Sequence, residues 1–206
     1  MTTDTKQILK RILIGSYLVI SISAYLVFWF SRQLSFEEQA LRQEVVDTAI
    51  KYLGCKESDH SHQVIIDLYN EQEPLPRGYP VTYEDSWCAA FGSAVAMQTR
   101  MADWIPTECS CEQQIGLFDL AGDWVERDWY LPQPGDYIFY NWQPIFFIDN
   151  SGWSDHVGIV VDTYGPIIKV IEGNLADSVS YHYVFVNHPY IRGYGLPDYR
   201  KASACS

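Results

Sequence analysis

The chain has 206 residues, nearly half of them apolar and 15% aromatic, enough to fill one hydrophobic core and so one catalytic or binding domain. That composition excludes a disordered chain. The net charge of −12 argues against a nucleic-acid partner, whose phosphate backbone would repel it.

A basic start, Lys6, Lys10 and Arg11, leads into residues 12–31, ILIGSYLVISISAYLVFWFS, which carry no charge. A helix of about 20 residues rising ~1.5 Å per residue spans a hydrocarbon core of ~30 Å, so a single transmembrane anchor is expected there. The bias of basic residues places residues 1–11 in the cytoplasm and everything after Ser31 outside, a single-pass protein of the cell membrane. The small residues around Ser21 and Ser23 allow a cleaved signal peptide instead. The apolar run continues through AYLVFWF beyond that point, which favours the uncleaved anchor. Residues 1–31 carry a net +2, so the exported remainder carries −14. An acidic domain gains no long-range attraction to an anionic envelope, and the anchor would keep it near its target.

Residues 32–41 form the juxtamembrane start of the next helix. Leu41, Val45, Thr48, Ala49, Tyr52 and Leu53 recur at helical spacing, Ser35 and Glu38 resemble a capping box, and Gly54 stands where a helix stops. An amphipathic helix is expected over 36–53. Residues 70–86, NEQEPLPRGYPVTYEDS, read as a surface loop. They lead into SWCAAFGSAVAM, expected to be helical over 87–98, with Gly92 and Ser93 allowing close packing and Cys88 in the first turn. A helix N-terminus lowers a thiol's pKa and offers N–H groups to an oxyanion. Alone, such a cysteine is more commonly a core residue.

Beyond LPQPGD the chain reads as strands at 137–142, 156–164, 167–173, 178–186 and 190–195. Gly165-Pro166 makes the second and third a hairpin, and Gly173-Asn174 through Asp177 turns the third into the fourth. Helices first and strands later give an α+β domain with helices on an antiparallel sheet. His156 opens one hairpin strand and Glu172 and Asn174 close its partner, so His156 and Glu172 are expected to be neighbours. A histidine oriented by a carboxylate or amide and facing a thiol makes a nucleophile, base and orienter.

SWCAAF, PQPGDYIFY, SDHVGIVVD, VIEGN and IRGYGLPDY occur here in the order seen in CHAP domains, the cysteine- and histidine-dependent amidohydrolase/peptidase family. The chain resembles that family, which is similar to NlpC-type cell-wall peptidases with a papain-like core, from about residue 42 to 199, leaving 200–206 as a tail. The resemblance implies that Cys88 is the nucleophile, His156 the general base and then acid, Glu172 the residue orienting the imidazole, and Asn174 a supporting polar group. It implies a membrane-anchored amidase or endopeptidase that cleaves a peptidoglycan amide bond through a thioester. The other reading is a non-catalytic papain-like module that binds muropeptide or an envelope or secretion-system partner. Asp85 and Trp87 beside Cys88, and Trp153 and Asp155 beside His156, are the candidates for lining the substrate cleft.

No metal or cofactor is expected. TYEDSW holds only Glu84 and Asp85 where some CHAP domains carry an aspartate-rich calcium loop, and DNSG at 149–152 lacks the spaced oxygen ligands of one. His60 and His62 in a polar loop are expected to be solvated, with no cysteine pair to complete a zinc site. The aromatic insert QPIFFIDNSGWS, 143–154, is open between a cleft wall, a docking patch and core filling. Cys55, Cys109, Cys111 and Cys205 could pair in three ways, and with Cys88 the odd total leaves one thiol free.

Overall fold

The structure, a computed structural model, describes residues 36–126, 129–142 and 152–205. The expected anchor at 12–31, Ser35 of the capping box and most of the aromatic insert lie outside these residues. No described helix is long and apolar enough to cross a membrane.

Helix α1 (Phe36–Ile50) buries Leu41, Val45, Thr48 and Ala49, the stripe expected of it, and stops three residues short of the expected end. Arg42 on this helix reaches across to the turn before the sheet, donating at 2.8 Å to the buried carboxylate of Asp136 and at 2.9 Å to the carbonyl of Pro134. Helix α2 (Gln63–Asn70) buries Ile65, Ile66 and Tyr69 and packs on helix α3 (Cys88–Met97). Every residue of α3 from Cys88 to Ala96 is buried, as befits a helix apolar on all sides. Helix α4 (Cys111–Ala121) follows, and the expected C-terminal tail is instead a short helix, α5 (Tyr199–Cys205), anchored by buried Tyr199 and Ala202.

Six strands, β1 (Trp124–Val125), β2 (Tyr137–Tyr140), β3 (His156–Tyr164), β4 (Ile167–Glu172), β5 (Ser180–Phe185) and β6 (Ile191–Gly195), form one antiparallel sheet in the order β1-β6-β2-β3-β4-β5. The domain is therefore α+β, as the order of patterns implies. Side chains alternate across the sheet. Tyr137, Phe139, Val157, Ile159 and Ile171 join the helices in the main core, while Ile138, Tyr140, Val160, Ile168, Val170 and Val184 form a second core on the other face.

Two close approaches seat α3 against the sheet. A Cβ on Gly173, just after β4, would lie 2.4 Å from the Cβ of Phe91, so only glycine lets the helix come this near. The Tyr137 hydroxyl then donates to the carbonyl of Gly92 at 2.8 Å. These contacts bring the N-terminal end of α3 to the start of β3 and the end of β4.

Candidate active site

The β3–β4 hairpin sets the register. Tyr164 pairs with Ile167 across the Gly165-Pro166 turn, and a bulge between Val160 and Asp162 brings Gly158 opposite Glu172. His156 and Gly158 share a face, so the Glu172 side chain crosses the bare glycine to reach the imidazole. His156 Nε2–H donates to Glu172 Oε2 at 3.0 Å. A Cβ on Gly158 would come within 2.6 Å of Glu172 Cγ and 2.5 Å of Val170 Cγ1, so this diagonal contact requires glycine there.

Cys88 is the first residue of α3, where the leading N–H groups have no carbonyl of their own helix to bond. Its sulfur and the His156 imidazole each shift the other's ionisation, while Nε2 of that ring is committed to Glu172. The structure thus joins Cys88, His156 and Glu172 in one buried chain of contacts.

Two residues that sequence reasoning missed complete the cluster. The Sγ of Cys111, the first residue of α4, lies 3.6 Å from the Sγ of Cys88. On the far side of Glu172, His182 Nδ1–H donates to Oε1 at 2.9 Å, so one carboxylate serves two imidazoles, one on each oxygen. His182 pairs with Val170 in the sheet and points to the same face as Glu172, an alternation readable in SVSYHYVFV once the β4–β5 register is known. Nothing in the sequence around Cys111 announces its contact, which is purely tertiary. The ring of Trp142 stands over the cluster, 5.8 Å from each of the two imidazoles and stacked on Tyr140 at 4.8 Å.

The electrostatics follow from these contacts. The hydrogen bond from Cys111 is the strongest influence on Cys88; with His156 and the Val157 N–H it outweighs burial and holds the thiol well below its ordinary pKa. Burial favours the neutral imidazole of His156, but its bonds to the Cys88 thiolate and Glu172 prevail and raise it to about 10. Burial pushes Glu172 up, yet the two histidines hold it below its usual value. Cys111 rises well above the ordinary thiol, because it donates to a thiolate and is buried. These shifts together favour a Cys88 thiolate, a His156 imidazolium and an ionised Glu172, a distribution of charge suited to attack by sulfur.

The other expected site residues fare differently. Asn174 is not brought to His156: it sits in the β4–β5 turn with a φ of 58° and makes no hydrogen bond to the imidazole, while His182 occupies the free side of Glu172. Trp87 is no cleft wall. It is wholly buried, its Nε1–H donates to Glu57 at 3.0 Å, and its ring packs on His62, so it fixes the start of α3 from within the core. His62 is accordingly buried rather than solvated. Asp85, three residues before Cys88, accepts from Thr82 and Tyr79 and lines a cavity of about 340 Å³ with Arg77, Tyr79, Val81, Ser86 and Cys109. Asp155 accepts the Trp142 backbone N–H at 3.1 Å and so holds that ring's strand end in place, and Trp153 is exposed. The five cysteines are all free thiols, so none of the three pairings open to Cys55, Cys109, Cys111 and Cys205 is formed. Among the described residues, no cluster of three or more His, Cys, Asp or Glu side chains could hold a metal ion.

No family model matches the chain, and no curated protein matches it. The chain is similar to one solved structure, the crystal structure of Ly7917 with the hydrolyzing product of MDP, at 14% identity and a TM-score of 0.43. The alignment covers 76% of this chain and 62% of that one, so the chain spans less than two thirds of that protein's length.

Proposed function

We propose that this protein is a cysteine-dependent amidohydrolase that cleaves an amide bond of peptidoglycan, held to the membrane by residues 12–31. The observation that carries the reading is the buried Cys88–His156–Glu172 chain, with the sulfur at a helix N-terminus. The order of motifs shared with CHAP domains supports the cell-wall substrate.

In this reading the Cys88 thiolate attacks the amide carbonyl, and the N–H groups at the start of α3 stabilise the oxyanion. His156, already protonated, delivers its proton to the leaving amine, which leaves a thioester on Cys88. The now neutral imidazole takes a proton from water, the hydroxide attacks the thioester, and the C–S bond breaks to release the carboxylic acid and the Cys88 thiolate, which again faces a protonated His156. Glu172 keeps the ring oriented and stabilises its charge, and His182 positions Glu172 by occupying its second oxygen. The cavity beside Asp85 and Ser86 is the proposed approach for the substrate on the nucleophile side.

The test is digestion of purified peptidoglycan by the full chain, with mass spectrometry of released fragments and Cys88→Ala alongside. Fragments that vanish in the variant support the hydrolase, and their new termini identify the bond. Fragments released equally by a folded Cys88→Ala protein would overturn it.

A further inference from the structure

We infer that Cys88 and Cys111 are a peroxide-responsive pair, in which the sulfur of the nucleophile position is oxidised and then captured by its neighbour as a reversible disulfide. The observation is geometric. The two sulfurs, each on the first residue of a helix, meet at 3.6 Å, and both residues are almost fully buried. No other thiol has a contact of this kind: Cys109 is engaged by Arg77 at 3.2 Å, Cys55 is separately placed, and Cys205 is exposed on the last helix.

The chemistry balances with a hydroperoxide as the oxidant. The Cys88 thiolate attacks one peroxide oxygen, the O–O bond breaks, and the departing hydroxide takes the proton of the His156 imidazolium to become water. Cys88 is then a sulfenic acid, with its sulfur oxidised and the peroxide reduced. Cys111, as its thiolate, attacks that sulfur. The S–S bond forms, the S–O bond breaks, and the hydroxide leaves with the proton that Cys111 gave up, as a second water.

The order of events is built into the pair. While Cys88 is a thiolate, its charge and its hydrogen bond keep Cys111 protonated and unreactive. Conversion to the neutral sulfenic acid removes that charge, and the N-terminus of α4 then favours the Cys111 thiolate. Cys111 thus has two uses: in the reduced protein its S–H supports the Cys88 thiolate, and after oxidation it diverts Cys88 from the irreversible sulfinic and sulfonic acids. The consequence for activity, a reversible block of the nucleophile, rests on the hydrolase reading above; the disulfide itself does not.

The test treats the full-length protein in detergent with hydrogen peroxide, then blocks remaining thiols and maps peptides by mass spectrometry. The expected result is a linked peptide joining Cys88 to Cys111, lost on adding a thiol reductant. In Cys111→Ser and Cys111→Ala, Cys88 should instead accumulate the sulfinic acid, with circular dichroism confirming that each variant is folded. Sulfinic acid at Cys88 in the wild-type protein without the linked peptide, or linkage of Cys88 to Cys109, would overturn the inference. The linked peptide in a protein that digests no peptidoglycan in either redox state would uphold the disulfide and overturn the hydrolase reading.

Discussion

Replacing Gly158 by alanine adds one methyl group at the point where Glu172 crosses to His156. The new carbon would stand 2.6 Å from Glu172 Cγ and 2.5 Å from Val170 Cγ1, whereas carbon atoms rest about 3.5–4.0 Å apart. One side must retreat by about 1 Å. The backbone cannot give easily, because the carbonyl of Ile171 lies 3.2 Å from the same carbon. Displacing Glu172 by that distance stretches its 3.0 Å bond to His156 beyond hydrogen-bond range. Losing a charge-assisted bond costs about 1.5–3 kcal/mol. Expressed in the transition state, that is a fall of roughly ten- to hundredfold in kcat. Overpacking of this kind also destabilises the fold by about 1–3 kcal/mol. Steady-state turnover of peptidoglycan fragments, with chemical denaturation in parallel, measures both. A Gly158→Ala protein with unchanged kcat would refute the claim that the bare glycine lets Glu172 orient the imidazole.

The remaining expectations concern the same cluster and the frame that holds it. Activity against pH should rise on the acid side below the ordinary thiol range, as Cys88 ionises, and fall on the alkaline side as His156 loses its proton near pH 10. Both limbs follow from an active thiolate–imidazolium pair; an alkaline limb near an unperturbed histidine would contradict it. His182→Ala removes a donor from the Glu172 carboxylate and should lower kcat several-fold with KM unchanged, and His182→Asn, which returns an N–H near the Nδ1 position, should recover most of the loss. Arg42→Ala leaves the buried Asp136 carboxylate without its cation and should cost about 3–5 kcal/mol in denaturant unfolding. Burial already raises the pKa of Asp136, so the deficit should shrink as pH falls through the carboxylate range and the residue becomes neutral.

What the sequence showed of this molecule is tied to local rules. The hairpin around Gly165-Pro166 was readable because a two-residue turn between β-branched runs marks adjacent strands, which brings His156 and Glu172 to the same end of the sheet; the bulge between Val160 and Asp162, which puts them on one face, was not readable. The stripe of α1 and the small-residue run of α3 were visible for the same reason. Helix α4 carried a signal that was passed over: Ser110 followed by Gln113 resembles a capping box, Cys111, Ile115 and Phe118 follow helical spacing, and Gly122 closes the helix in the left-handed region. The contacts of Cys111 and His182 could not be read, since each depends on how separate elements meet in space. Trp87 misled through its position: a neighbour of Cys88 in sequence points to a different side once the helix begins, and here that side is the core. Asn174 was misassigned because the chain turns immediately after Glu172, and its left-handed conformation belongs to that turn.

The central claim is that the Cys88 sulfur carries the substrate's acyl group. Acid quenching of the full-length protein during digestion of peptidoglycan, followed by peptide mapping, tests it directly. The account expects a muropeptide-derived acyl group on the Cys88 peptide, removed by hydroxylamine as a thioester is, and absent in Cys88→Ala. Fragments released with no adduct on Cys88, and in equal amount by a folded Cys88→Ala protein, would contradict it.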